Sequence, residues 1–540
     1  MGIFTKSFIY LGGSRLHLPR ANSSRNLHHS APIVDLYHRT TGRILHEDQM
    51  PTLSKKHPNI GKIGHDRMQY TLQILQKFGI TALDACNNLH VFSMNPITMD
   101  NYGEILKECG FVSITAKHII KYHTIAKTKT IASLKKAGLI NDDVVLEQVL
   151  LDCFSTWPSD KKTLIQFPDV TTSLLTIRTS VLERYLKWRL CITTEEFQKY
   201  CRNYLPLRHK PMADIQEALD LAENEIKFDI GGIRRNGFVI SSDPLNTKLI
   251  LEKVPSLAGM DIREAIKIEP AILKNNYNAL LQIRDILESY RIPMESQAAC
   301  LKVYCMRADT VKERLDELSE LKEFRILSSN SRVLSLVVHK NKFMNRLDKI
   351  RAAKKQCFSL NHLIASSKIF NNYITSFGSK TCGRDIVTLI KSSLKIKETE
   401  DLTRNSFGKE ILAQLKRHKY CLHVALGVID ENIQYLKTKF DDKAIVNNCQ
   451  LLLYPVSEVE HYIEMLLKMR LREDKGKLSS QIDINYNLKY QAFTDDQLLS
   501  LVLYEIEKKY HFSGDGIWAG VDGVKVDTQS VSYNIGDRNM

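Results

Sequence analysis

The chain has 540 residues, of which 43% are hydrophobic and 25% charged, with 24 glycines and 14 prolines. This composition excludes a collagen-like or wholly disordered protein, and no uncharged apolar run of 18 residues supplies a membrane span. A net charge of +15 and a pI near 9.1 point to a polyanionic partner and leave the fold open.

Residues 1 to 34 hold Lys6, Arg15, Arg20 and Arg25 and no acid; Asp35 is the first carboxylate. A basic, acid-free, Ser-containing start reads as a mitochondrial presequence, with a lipid-surface helix as the rival. The apolar stretch Phe8 to Leu11 is too short for a secretory signal. The eleven cysteines are odd in number, irregularly spaced and free of CxxC pairs, which speaks for a reducing compartment. Cys300 and Cys305 lack a second ligand pair at zinc spacing, so no metal is expected.

From about residue 66 to 512, apolar residues recur at spacings of three and four, and strand-like alternation is scarce. The chain is therefore expected to be all-α. Tyr277, Leu280, Leu281, Ile283, Ile286 and Leu287 mark one short helix; Val311, Leu315, Leu318 and Leu321 mark another. Phe343, Leu347 and Ile350 mark a third. Asp309 and Ser359 are expected N-caps.

The helices repeat. Apolar–Pro junctions occur at Phe167-Pro168, Leu205-Pro206, Val254-Pro255 and Tyr454-Pro455, and Pro270 opens "PAILKNNYNALLQIRDILESYRIP". The pattern returns near Tyr304 and His339, about 35 residues apart each time. Proline ends one helix and is tolerated in the first turn of the next. A two-helix unit of this size buries its apolar face only by stacking on neighbours, so an α-solenoid is expected.

Charge is uneven along this array. Residues 331 to 420 carry nineteen Lys or Arg against six Asp or Glu, and residues 111 to 140 carry six Lys and no acid. Phosphates are the natural partners of such stripes. The candidate contacts are Arg346, Arg351, Lys354, Lys355, Arg384, Arg417 and Lys419. Phe370, Tyr373 and Phe377 lie nearby and read as core rather than as base-stacking residues.

The Pro-led unit "EPAILKNNYNALLQIRDILESYRI" and the stretch "RVLSLVVHKNKFMNRLDKIRAAKKQCFSLNHLIASS" resemble the repeat of the mitochondrial transcription termination factor (mTERF) family, the latter as in its insect members. The resemblance covers roughly residues 165 to 475. It implies a left-handed superhelix of repeats, each two α-helices and a short 3₁₀ turn, with a concave basic groove. It also implies binding to mitochondrial duplex DNA at the nucleoid and regulation or termination of transcription. The departures are units that lack the proline and a segment at 398 to 410 that reads as an insertion.

The organisation expected is a presequence (1–34), a helical N-terminal region (35–160), the repeats (161–475), a capping or partner helix (476–512) and a disordered tail (513–540). In the helix "DDQLLSLVLYEIEKKYHF", Asp495 and Asp496 suit the N-terminus and Lys508 and Lys509 the C-terminus. The sequence has no P-loop, HExxH or nucleophile elbow, so neither an enzyme nor a cofactor is expected. Two other readings stay open: an RNA-binding member acting in ribosome assembly or translation, and a scaffold whose basic face meets an acidic protein. A second transcription factor is a further candidate partner.

Overall fold

A computed structural model describes residues 32–43, 55, 60, 63–394, 406–472 and 493–520. Residues 1–31 of the segment read as a presequence lie outside the described residues. The helix Pro32–Thr41 begins within its last three. Most of the 398–410 segment also lies outside, and the helix Ser406–Leu415 starts inside it. The chain divides into two compact units between Arg284 and Asp285. Both are α-helical. Among the described residues the one sheet is the hairpin Ser256–Leu257 with Met260–Asp261, turned by Ala258 and Gly259 at φ 53° and 77°.

The first unit starts with short helices that include His65–Lys77, Ala82–Asn87, Pro96–Glu108 and Ala116–Ile120. Thr81, Asn95 and Thr115 cap the last three by accepting backbone N–H bonds. Ile74, Leu75, Val91, Phe92, Met99 and Ile119 are buried between them. Each such side chain contributes about 1.5–3 kcal/mol when withdrawn from water.

Repeats follow, each a long helix, a shorter helix and a 3₁₀ turn. The first comprises Leu174–Leu190, Thr194–Asn203 and Leu205–His209. The next comprises Met212–Asp220, extended by the π-helical turn Leu221–Glu225, then Ile230–Arg235 and Gly237–Ser241. The third comprises Pro244–Lys253, Ile262–Ile268 and Pro270–Lys274. With Leu301–Cys305 of the second unit, the 3₁₀ turns begin at residues 205, 237, 270 and 301, an interval of 31 to 33 residues. Only Pro206 and Pro270 mark these turns. Pro255 precedes the hairpin between two helices of one repeat, and Pro455 precedes the helix Val456–Arg472. Proline settles wherever an N–H is not needed, so it is an imperfect marker of the period.

A recurring clamp closes these units. The last carbonyls of a short helix or 3₁₀ turn, and the one just after it, have no partner within it. In five places a polar side chain from the preceding long helix reaches back to supply one. Arg178 Nη2 donates to Lys210 O at 2.7 Å, and Asn246 Nδ2 to Asn275 O at 2.8 Å. Arg314 Nη1 donates to Val337 O and Val338 O at 2.9 and 2.8 Å. Arg346 Nη1 donates to His362 O and Leu363 O, both at 2.9 Å. Asn432 Nδ2 donates to Leu452 O and Tyr454 O at 3.3 and 2.7 Å.

The second unit contains the helices Ala308–Ser319, Lys340–Ala352, Leu360–Ile364, Ser367–Thr375, Gly383–Ser393, Leu426–Leu436 and Asp495–Lys509, among others. Val311, Leu315 and Leu318 are buried as their spacing suggests, whereas Leu321 caps the following helix. Ser359 is an N-cap in a reciprocal capping box with His362; Asp309 lies inside the first turn, and Arg307 holds the cap position instead. The helix Asp495–Lys509 is capped by Thr494 and packs beside Asn448 and Glu458, which bond Asp496 and Lys509 at 2.9 and 2.8 Å. Part of the stretch expected to be disordered is folded: Asp515–Gly520 is a 3₁₀ turn with Ile517 buried. Residues 521–540 lie outside the described residues.

Candidate nucleic-acid interface

The seven candidate cations fall into two groups. Arg346 is 5% exposed. Its guanidinium lies 4.6 Å over the Phe370 ring, with Nη1 on the two carbonyls of the clamp. Lys355 is also engaged. Its Nζ donates to Ser376 O and Gly378 O at 2.8 and 2.6 Å, and lies 5.1 Å from the Tyr373 ring centroid. Both cations hold the fold together where they stand.

The other five reach the surface. Arg351 is half exposed and pairs with Glu323 at 2.8 Å. Lys354 is exposed at the end of the same helix, with φ at 50°. Its N–H and that of Lys355 close the helix on Arg351 O and Ile350 O. Arg384 is exposed in the first turn of Gly383–Ser393, beside buried Asp385. Arg417 and Lys419 are exposed in the turn after Ser406–Leu415, and Lys419 Nζ lies 5.0 Å from the Tyr420 ring centroid.

Four histidines of this unit are held down first by burial and then by neighbouring cations. Burial, then Lys342, Lys302 and Arg314, pushes the His339 imidazole below its ordinary value. Burial and Lys355 do the same to His362, burial and Lys380 to His423, and burial and Arg417 to His418.

The aromatic residues divide as well. Phe370 and Tyr373 are core; Tyr373 donates to Cys357 O at 2.7 Å and stacks on His362 at 3.8 Å. Phe377, read from the sequence as core, is fully exposed. Lys355 fixes the carbonyls on either side of it, and Gly378 turns the chain at φ 71°, which leaves the ring in solvent.

Sequence patterning alone did not separate Arg346 and Lys355 from the surface cations, because charge runs do not show which face of a helix is covered. The place of Arg346 among Phe343, Leu347 and Ile350, on the buried stripe, is the signal that distinguishes it.

Successive helix–helix–3₁₀ units with a cationic surface define an α-helical repeat protein. A Drosophila melanogaster protein named mitochondrial transcription termination factor 5 is 30% identical over 470 residues, which span 86% of this chain and 80% of that protein. The chain belongs to the family of mitochondrial transcription termination factors. No protein-family model and no solved structure matches it. No helix among the described residues is long and apolar enough to cross a membrane.

Proposed function

We propose that this protein regulates or terminates transcription in the mitochondrial matrix by binding duplex DNA at the nucleoid. In this reading its repeats wind into a left-handed superhelix with a basic groove. Residues 331 to 420 supply its cationic lining, and Arg351, Lys354, Arg384, Arg417 and Lys419 contact phosphates. Arg346 and Lys355 shape the surface from beneath. The protein acts by occupancy rather than by chemistry, as an obstacle in the path of a polymerase.

The observation that carries this reading is the uncompensated charge: nineteen cations against six acids in 90 residues, in a chain belonging to this family. Lys and Arg contacts to phosphate set affinity and register, and an Arg that enters the major groove reads guanine bidentately. The test is the salt dependence of duplex binding by the full chain. Neutralising Lys354, Arg384 and Arg417 together should lower the slope of log K against log salt by about 0.9 per lost phosphate contact. An unaltered slope would remove these residues from the interface.

A further inference from the structure

A cavity of about 650 Å³ opens in the first unit, between the N-terminus of Pro96–Glu108 and the 3₁₀ turns of three successive repeats. Its wall includes Asn101, Asn203, Tyr204, Phe238, Asn246 and Lys274. Three features give it a defined chemistry. First, it is rich in neutral amides. Asn95 and Asn276, also in the wall, use Oδ1 to accept backbone N–H bonds at helix starts, at 2.9 Å from Ile97 and 2.7 Å from Ala279. Their NH₂ groups remain as donors.

Second, Asn246 is 4% exposed, and its Oδ1 has no hydrogen-bond partner while its Nδ2 holds the Asn275 carbonyl. A buried acceptor left unpaired costs about 1–3 kcal/mol. That oxygen is sealed from the cavity, so Asn246 serves the wall by fixing the Asn275 backbone rather than by meeting a ligand.

Third, two half-buried aromatic rings and a cation stand together. Tyr204 and Phe238 meet edge to face at 6.2 Å, and exposed Lys274 places Nζ 4.3 Å from the Phe238 centroid. The approach is tight enough to require Gly237, where a Cβ would sit 2.7 Å from the Tyr200 ring and 3.0 Å from that of Tyr204.

Amides, a stacking face and an adjacent ammonium are together the complement of a nucleotide. We propose that this cavity is a nucleotide-binding site for an amino-bearing base, adenine or cytosine. Tyr204 stacks on the base, the asparagine amides meet its amino and ring-nitrogen edge, and Lys274 takes the phosphate. Asparagine pairs bidentately with adenine for the same reason, and base–aromatic stacking contributes about 1–3 kcal/mol. The volume exceeds one nucleotide, so the same chemistry is met by a free nucleotide or by one within a single strand.

The experiment titrates the full chain with AMP, UMP, and the trinucleotides ApApA and UpUpU, followed by saturation-transfer NMR. It is paired with photocrosslinking by 8-azidoadenosine monophosphate. The proposal predicts that the adenine ligands bind at least fivefold tighter than their uracil counterparts, with crosslinks on the peptides that carry Tyr204 or Phe238. Equal affinity for AMP and ApApA identifies the free nucleotide as sufficient, and a clear gain for ApApA identifies a strand. The variant Asn101→Ala with Asn203→Ala should lose that adenine preference and keep its duplex affinity, which separates this site from the proposed groove. Absence of saturation transfer, equal binding of adenine and uracil, or crosslinks elsewhere would overturn the assignment.

Discussion

The Arg346 guanidinium lies over the Phe370 ring at 4.6 Å while its Nη1 holds the last carbonyls of Leu360–Ile364. This one side chain fastens the helix Lys340–Ala352 to the two that follow it. Arg346→Ala leaves two carbonyls without a donor and removes the cation–π contact. The expected loss is about 2–4 kcal/mol, read as a lowered midpoint of denaturant unfolding. A wild-type midpoint would mean that the clamp contributes nothing.

Lys354 offers a separation of charge from stability. Its left-handed backbone at φ 50° is one that glycine adopts without strain. Lys354→Gly should therefore hold or raise stability by up to about 1 kcal/mol. At the same time it should weaken nucleic-acid binding at low salt. A stable variant with wild-type affinity would exclude Lys354 from the interface.

Arg178 makes the corresponding test in the first unit. It is 2% exposed and pairs with Glu108 at 3.0 Å, and burial pushes the Glu108 carboxyl up against the pull of Arg178. Arg178→Met strands that carboxylate and should cost about 3–5 kcal/mol. Adding Glu108→Gln should recover part of the loss, which a double-mutant cycle measures.

The fold class and many helices were legible because 3.6-residue periodicity is written locally in the apolar residues. Phe343, Leu347 and Ile350 lie on a buried stripe of the helix that their spacing defines. The clamp was not legible. Its members are two asparagines and three arginines that differ in type but share a role, and each bonds to backbone 16 to 32 residues away. For the same reason charge counting found the cationic region yet could not sort Arg346 from Arg384. The amide-walled cavity was invisible because its residues come from Asn95 to Asn276, joined only by folding.

The first unit should also be acid-sensitive. The His209 ring meets that of His123 at 4.7 Å, and burial, with His123, Arg208, Lys127 and Arg178, holds its pKa near 4, well below the ordinary value of about 6.5. The folded state thus binds this proton less readily than the unfolded state. The stability this confers is full above about pH 6.5 and is lost as pH falls towards 4. His209→Gln should flatten that part of the profile in melts taken from pH 7.5 to 4.5. Parallel profiles for the two proteins would assign the acid sensitivity to other groups.

The central claim concerns what the cationic surface holds. The most direct measurement offers the full chain fragments tiling the mitochondrial genome, as duplex DNA and as the matching RNA, at two salt concentrations. The account predicts tight, salt-dependent binding to one or a few duplex fragments and weaker binding to the same sequences as RNA. Tighter binding to RNA, or equal and sequence-blind binding to every fragment, would contradict it.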